Sequence, residues 1–299
     1  MKPSSRFLWI AAAIAGCSGG SVQHGGQDAG VGVDAGDAGG PAAGGTNDGG
    51  GDGGPGAQAT FEGDIEAVSL IAPGTDGGAP ARSFSVTAFF NPDVGAGGSG
   101  CADGIGVGSC CYLPPSGGGG SAPVSAGTLT LLDDAAAVAS MPFDPTNGYG
   151  TLTSVSWDGG DSLTVRAAGD VVAPFEVETH APVDFTGLSP SLSGGVTLPT
   201  GSSWTLSWAP GGADSVEITI GAAPGVSVPD GGTPVGSITC TPDDDAGTVT
   251  IDSTLLANFT SGQAGQISVA RVNAGGATPA NGTVVFRAST MVTANATFQ

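Results

Sequence analysis

Ser203-Trp204-Thr205-Leu206-Ser207-Trp208 and Ser215-Val216-Glu217-Ile218-Thr219-Ile220 alternate strictly between apolar and polar residues, and Pro210-Gly211-Gly212 lies between them. Period-two alternation puts one face of each run in a core and the other in water, as in antiparallel sheet. Proline followed by glycine cannot continue such a strand and sets a turn. The pair therefore reads as two half-buried strands joined by a connection.

The same signal recurs on both sides. Ser83-Phe84-Ser85-Val86-Thr87-Ala88-Phe89, Thr128-Leu129-Thr130-Leu131 and Ser162-Leu163-Thr164-Val165-Arg166 precede it. Thr248-Val249-Thr250-Ile251, Gln266-Ile267-Ser268-Val269 and Thr283-Val284-Val285-Phe286 follow it. Turn signals separate them: Pro73-Gly74, Asn91-Pro92, Asn147-Gly148, Asp158-Gly159 and residues 273–276. Gly, Thr, Ser and Val abound while Lys and Glu are scarce, which disfavours helix. One short helical turn is predicted at Asp252-Ser253-Thr254-Leu255-Leu256, capped by Asp252 or Ser253. The fold class is all-β: two antiparallel β-sandwich domains of immunoglobulin-like type.

From residue 60 the patterned chain is about 240 residues, large for one sandwich. Residues 171–178 read as a last strand, and Pro182 opens a new segment after His180-Ala181. The expected organisation is sandwich 1 over 60–180 and sandwich 2 over 181–299. Trp157 and Trp208 each precede a Gly-rich turn and an alternating strand, a faint internal echo that reads as aromatics plugging sandwich cores.

Residues 17–59 differ in kind. They are nearly all Gly, Ala and Asp, with Asp28-Ala29-Gly30, Asp34-Ala35-Gly36 and Asp37-Ala38-Gly39 repeating loosely. Such a segment buries too little apolar surface to offset its ordering entropy, so it reads as a disordered tether. About 40 residues of this composition have a mean reach near ~35 Å. Asp48-Gly-Gly-Gly-Asp52 lacks the ligand spacing and twelfth-position glutamate of a calcium loop.

The first sixteen residues carry Lys2 and Arg6, then the apolar run Phe7-Leu8-Trp9-Ile10-Ala11-Ala12-Ala13-Ile14-Ala15. This is the layout of a secretory signal. The run is too short to span a bilayer, which takes about 20 residues. The next positions, Ile14-Ala15-Gly16-Cys17, resemble the lipobox of bacterial lipoproteins. That resemblance implies diacylglycerol on the Cys17 thiol, cleavage before it, and acylation of the new amino group. Two or three acyl chains anchor firmly where one does not. Ser18 stands where an Asp marks inner-membrane retention in the enteric sorting rule, so the resemblance implies an outer-membrane location.

Cleavage would remove Lys2 and Arg6. Arg82, Arg166, Arg271 and Arg287 would then face all 27 acidic residues, a net of −23 with no lysine. Four scattered arginines cannot form the basic patch that nucleic acid requires. Docking on anionic lipid through basic residues is excluded on the same ground. The acidity reads as solubility and mutual repulsion.

Cys101, Cys110, Cys111 and Cys240 remain besides Cys17. An exported protein meets an oxidising compartment, so disulfides are expected. Four cysteines allow three pairings. A Cys110–Cys111 bridge is disfavoured by the strain of joining neighbours. A local loop from Cys101 to either Cys110 or Cys111 is favoured, with the remaining cysteine reaching Cys240 to staple the two bodies. Cys-x8-Cys-Cys is not a zinc spacing, and no metal or cofactor is expected.

The lipobox, the Gly/Ala/Asp tether and the β-rich body together resemble uncharacterised envelope lipoproteins of myxobacteria. The body segments that carry this resemblance are Ser125-Ala126-Gly127-Thr128-Leu129-Thr130, Ala173-Pro174-Phe175-Glu176-Val177, Trp204-Thr205-Leu206-Ser207-Trp208, and Cys240 with Asp243-Asp244-Asp245-Ala246-Gly247. It implies an envelope protein and carries over no catalytic residue.

Catalytic signals are sparse. The histidines are His24, in the tether, and His180. A Ser/His/Asp triad would have to be built on His180, and nothing in the sequence supplies its partners. No nucleophile elbow stands on a strand-to-helix turn, and no phosphate loop exists without lysine. Asp133-Asp134, Asp243-Asp244-Asp245 and Glu176 with Glu178 are the carboxylate pairs, and read first as turn formers and solvated faces. The expected function is a non-enzymatic cell-envelope lipoprotein with a binding, adhesion or structural role, anchored in membrane lipid through Cys17 and meeting a protein or glycan partner. The alternatives are a carbohydrate-binding module and, behind it, an acidic hydrolase.

Overall fold

The computed structural model describes residues 60–72, 81–92, 101, 104–115, 122–222 and 236–299. Cys17, the signal segment, the tether and His24 lie outside the described residues. In chain order the strands are β1 (Phe61–Ala72), β2 (Ala81–Pro92), β3 (Ile105–Val107), β4 (Cys110–Leu113), β5 (Leu129–Asp133) and β6 (Ala136–Met141). They continue with β7 (Phe143–Asp144), β8 (Gly148–Tyr149), β9 (Ser162–Ala167), β10 (Phe175–His180), β11 (Val196–Leu198) and β12 (Trp204–Ser207). β13 (Ser215–Ala222), β14 (Ser237–Cys240), β15 (Thr248–Ile251), β16 (Ala264–Ala277) and β17 (Gly282–Phe298) complete them. The single α-helix among the described residues is α1 (Ser253–Leu256), where Asp252 accepts from the Thr254 N–H at 2.8 Å, the cap its sequence predicts.

The protein is all-β, and its alternation is realised residue by residue. Trp204 and Leu206 of β12 are buried while Thr205 is exposed, and β13 buries Val216, Ile218 and Ile220. Trp157, Trp204 and Trp208 all point inward. The strand expected over 171–178 starts later, at Phe175. Gly169 has a positive φ of 87° and packs against Pro174, so residues 168–174 turn instead of extending.

The largest sheet runs β2-β1-β17-β16-β13-β14-β4-β3, with β11 also paired to β17. A second sheet runs β10-β9-β5-β6, and β12-β15 and β7-β8 form two-stranded ribbons. Against the antiparallel expectation, β1 and β11 each pair with β17 in parallel. Alternation is the same in both directions and cannot distinguish them.

Two cores form on one face of the large sheet. In the first, Ile65, Val86, Phe90 and Phe286 meet Leu129, Leu131, Leu163, Val165 and Val177 of the four-stranded sheet. In the second, Ile218, Ile267, Val269 and Phe298 meet Leu206, Val249, Ile251 and Leu255. The β16–β17 hairpin serves both. β17 is 17 residues long, about 55 Å at the rise of an extended strand. Its inward residues Val284, Phe286 and Ala288 enter the first core, and Ala294, Ala296 and Phe298 enter the second.

The chain passes from one core to the other at residues 181–184, and this hairpin holds the passage. The Asn273 amide donates to the His180 carbonyl at 2.8 Å, the Thr290 hydroxyl to Pro182 at 2.9 Å, and Arg271 Nη1 to Asp184 at 2.7 Å. A short piece of the N-terminal half also crosses over. β4 pairs with β14, and the disulfide Cys110–Cys240 sits within the second core. Cys101 pairs with Cys111, closing the local loop. Of the pairings left open by the sequence, these two are the ones formed.

Candidate functional site

The first body carries a cleft of about 410 Å³ lined by Arg82 and Phe84 of β2, by Asp133, by Ser156-Trp157-Asp158, and by Asp161. Two turns build its acidic wall. β5 and β6 form a hairpin through Asp134 and Ala135, both at positive φ (46° and 68°). That is the left-handed pairing a two-residue hairpin demands, and Asp tolerates it better than Ala. The second turn precedes β9: the Asp158 N–H donates to Asp161 Oδ2 at 2.6 Å and the Asp161 N–H to the Asp158 carbonyl at 3.2 Å. The Asp134 N–H donates to the Ser162 carbonyl at 3.0 Å and ties the two turns together. Carboxylate oxygens of Asp133, Asp134 and Asp161 then lie within 4.8 Å of one another. Burial, followed by the charges of Asp161, Asp134 and Asp158, pushes the Asp133 carboxyl above its ordinary value.

The opposite wall is aromatic and cationic. Phe84 meets Trp157 edge-on with ring centroids 4.8 Å apart. The Arg82 guanidinium lies 5.9 Å from the Phe84 ring centroid and pairs with Asp184 of the inter-core passage. Two buried atoms of the cleft residues have no hydrogen-bond partner: Asp133 Oδ1 and Trp157 Nε1. Trp157 itself is only 5% exposed.

The other residues singled out by sequence go elsewhere. Asp244 is fully buried and pairs with fully buried Arg271 at 3.1 Å. Burial would push the Asp244 carboxyl up, but N–H bonds from Gly211 (2.6 Å) and Ala213 (3.1 Å) and the Arg271 guanidinium outweigh it and hold the carboxyl below its ordinary value. Gly211 is needed there because a Cβ would come within 2.5 Å of the guanidinium. The Pro210-Gly211 turn that opens the sequence argument is thus also the seat of a buried ion pair. Glu176 and Glu178 are exposed on β10, the first paired with Arg166 at 2.6 Å and the second accepting from the Ser162 hydroxyl at 2.5 Å. The His180 side chain is exposed at the end of β10. Cys101, Cys110, Cys111 and Cys240 are consumed in disulfides.

Asp161, Arg82 and Trp157 were not read from the sequence as companions of Asp133-Asp134. The usable signal was Asp158-Gly159-Gly160-Asp161 preceding an alternating strand, a turn with carboxylates at both ends. What it lacks is the pairing of β9 with β5, which sets Asp133 opposite Leu163, two residues beyond Asp161.

No family model and no curated protein matches the chain. Among solved structures it is similar to the crystal structure of DIP-gamma IG1+IG2, at 10% identity over 79% of this chain and 97% of that chain, with a TM-score of 0.18. That score is too low to bear on the fold, which rests on the strand pairing described above.

Proposed function

We propose that this protein is an exported bacterial lipoprotein, held by acyl chains on Cys17, whose two-core β body binds a partner at the cell envelope without catalysing a reaction. The observation that carries this reading is the pair of disulfides, Cys101–Cys111 and Cys110–Cys240. Disulfides persist in oxidising compartments, which agrees with a secretory signal ending in Ile14-Ala15-Gly16-Cys17. The layout resembles myxobacterial envelope lipoproteins, and Ser18, by the enteric sorting rule, supports an outer-membrane location. Intact-mass spectrometry of the mature protein tests it. The expected N-terminus is Cys17 bearing a diacylglyceryl thioether and an N-acyl chain, and Cys17→Ser should leave the precursor unprocessed. A bare Cys17 or an uncut Met1 terminus overturns the reading.

Carbohydrate binding is the second reading, favoured by aromatic and carboxylate side chains lining one cleft. Hydrolysis by an aspartate pair is the third. A screen of purified protein against glycan and peptide substrates separates it from the others, because turnover of any substrate would establish it.

A further inference from the structure

We propose that β6, the outer strand of the four-stranded sheet, is a docking edge on which an extended segment of another protein adds as a further strand, a lysine or arginine of that segment meeting the aspartates of the β5–β6 turn. The inference rests on the binding role proposed above and names its surface and the chemistry of its partner.

An outer strand offers a row of backbone N–H and C=O groups to any chain that can lie beside it, and folded proteins usually cover, bridge or charge such a row. Other outer strands of this molecule are covered. β2 is bridged on its open side by Leu152, which exchanges two backbone hydrogen bonds with Val86 (2.9 and 3.0 Å), and by the Val124 N–H on the Phe90 carbonyl. β10 is backed by β16 so closely that a Cβ at Gly275 would collide with the Glu178 carbonyl. β6 pairs with β5 alone, and among the described residues nothing bonds to the backbone of its other side. Ala136, Ala137, Val138 and Ser140 are exposed, and no residue of β6 is charged. A bulge opposite Leu131 and Leu132 leaves Val138 without a partner on β5, and its side chain is 42% exposed. Bulges at sheet margins re-aim side chains in this way, and here the result is an apolar anchor beside open backbone.

The partner's charge follows from the end of the strand. Carboxylate oxygens of Asp133 and Asp134, at the β5–β6 turn, lie within 4.8 Å of each other and of one on Asp161. The chain has no free cation to answer them. The described arginines, Arg82, Arg166, Arg271 and Arg287, are paired with Asp184, Glu176, Asp244 and Asp64, and no lysine follows Lys2. A second copy of this chain would have to break one of those pairs, and it would bring 27 acidic residues against six basic. Like charge therefore disfavours a homodimer through β6. A basic strand from a different protein meets the backbone row and the carboxylates together.

The test pans a random decapeptide phage library over the full-length chain in detergent. Enriched peptides should alternate β-branched with polar residues and carry Lys or Arg. Amide hydrogen exchange should slow within residues 136–141 when the best of them is bound. Val138→Lys sets a charge of the peptide's own sign on the edge and should weaken its affinity about tenfold. Asp134→Asn, which suits the left-handed backbone there, should weaken it about threefold and flatten its salt dependence. Val171→Lys, at an exposed valine off this strand, controls for added charge and should leave binding intact. Thermal unfolding identifies a Val138→Lys that fails to fold, and Ser140→Lys, exposed on the same strand, then takes its place. Panning that enriches nothing, enriched peptides without a basic residue, protection outside residues 136–141, or binding indifferent to either substitution overturns the inference. So does a dimer in sedimentation equilibrium that Val138→Lys dissolves, because a second copy then takes the edge. The Cys17 lipid mass is read separately: lipidated protein that selects no peptide sinks the docking edge alone, and unlipidated protein that selects one sinks the envelope reading alone.

Discussion

The molecule holds two polar clusters of similar composition that end in opposite states. At Arg271 and Asp244 an arginine and an aspartate are fully buried, and their polar atoms are taken up: Arg271 Nε by Asp244, Nη1 by Asp184 and Nη2 by the Ala209 carbonyl, and Asp244 Oδ2 by two backbone N–H groups. At the first body's cleft, carboxylates crowd together near an arginine that is committed to Asp184, and two buried atoms lack partners. The first cluster closes upon itself and locks the second core to residues 183–184. The second keeps a buried acceptor, Asp133 Oδ1, and a buried donor, Trp157 Nε1, without partners. A cluster whose bonds are all internal holds the fold, and one with unpaired buried atoms costs it stability.

The largest test of this contrast is Arg271→Met. It leaves Asp244 as an uncompensated buried carboxylate, and removing one partner of a buried pair typically costs about 3–5 kcal/mol. For a body of this size that lowers Tm by roughly 10 °C. Replacing both partners, as Arg271→Met with Asp244→Leu, should recover part of the loss, because no unpaired charge then remains. If the single variant unfolds at the parent temperature, the cluster is not the lock described here.

The strands and their faces were largely legible, because period two is a local property that burial enforces. The Asp252 cap and the inward tryptophans follow from the same local chemistry. Partnership was not legible. Nothing in the alternation of β1 says that it lies parallel to β17, and nothing in β17 says that its two ends serve different cores. Of the four arginines, Arg271 carried a readable mark: it follows Ile267 and Val269 at the inward phase of β16, which places a charge in the core and demands a partner. The identity of that partner, Asp244, depends on a turn in another part of the chain. The cleft was legible only as separate Asp-rich turns, and the pairing of β5 with β9 brings them together.

A third polar group, on the opposite face of the large sheet, lies between the two extremes. Asp64 holds Arg287 at 2.6 Å through Oδ2, while its Oδ1 is buried and unpaired. Burial first, and the Asp64 charge second, push the Glu66 carboxyl up to about 7 against the pull of Arg287. A raised carboxyl favours the protonated fold. Its stabilising contribution is complete below the ordinary Glu value and is lost as pH rises through about 7. Glu66→Gln should therefore stabilise the protein by about 1–2 kcal/mol at pH 8, after discounting for solvent screening, and change little at pH 4. Denaturant midpoints at the two pH values check it. An equal effect at both would show that Glu66 acts through packing and not charge.

The smallest expected effect is the most pointed. Asp133→Asn removes one of three like charges from a turn, so the raised Asp133 carboxyl predicts a change between zero and about 0.5 kcal/mol in the stabilising direction above the ordinary carboxylate range, fading as pH falls. Asp244→Asn should do the reverse and destabilise, because there the charge is what Gly211, Ala213 and Arg271 hold. Opposite signs from the same Asp-to-Asn change, measured by thermal unfolding of both variants at pH 7, would separate an aspartate kept for the fold from one kept in spite of it. A stabilising Asp133→Asn would show that this turn keeps its like charges at a cost to the fold. A clear loss of stability in Asp133→Asn would instead place Asp133 among the structural carboxylates and remove the contrast.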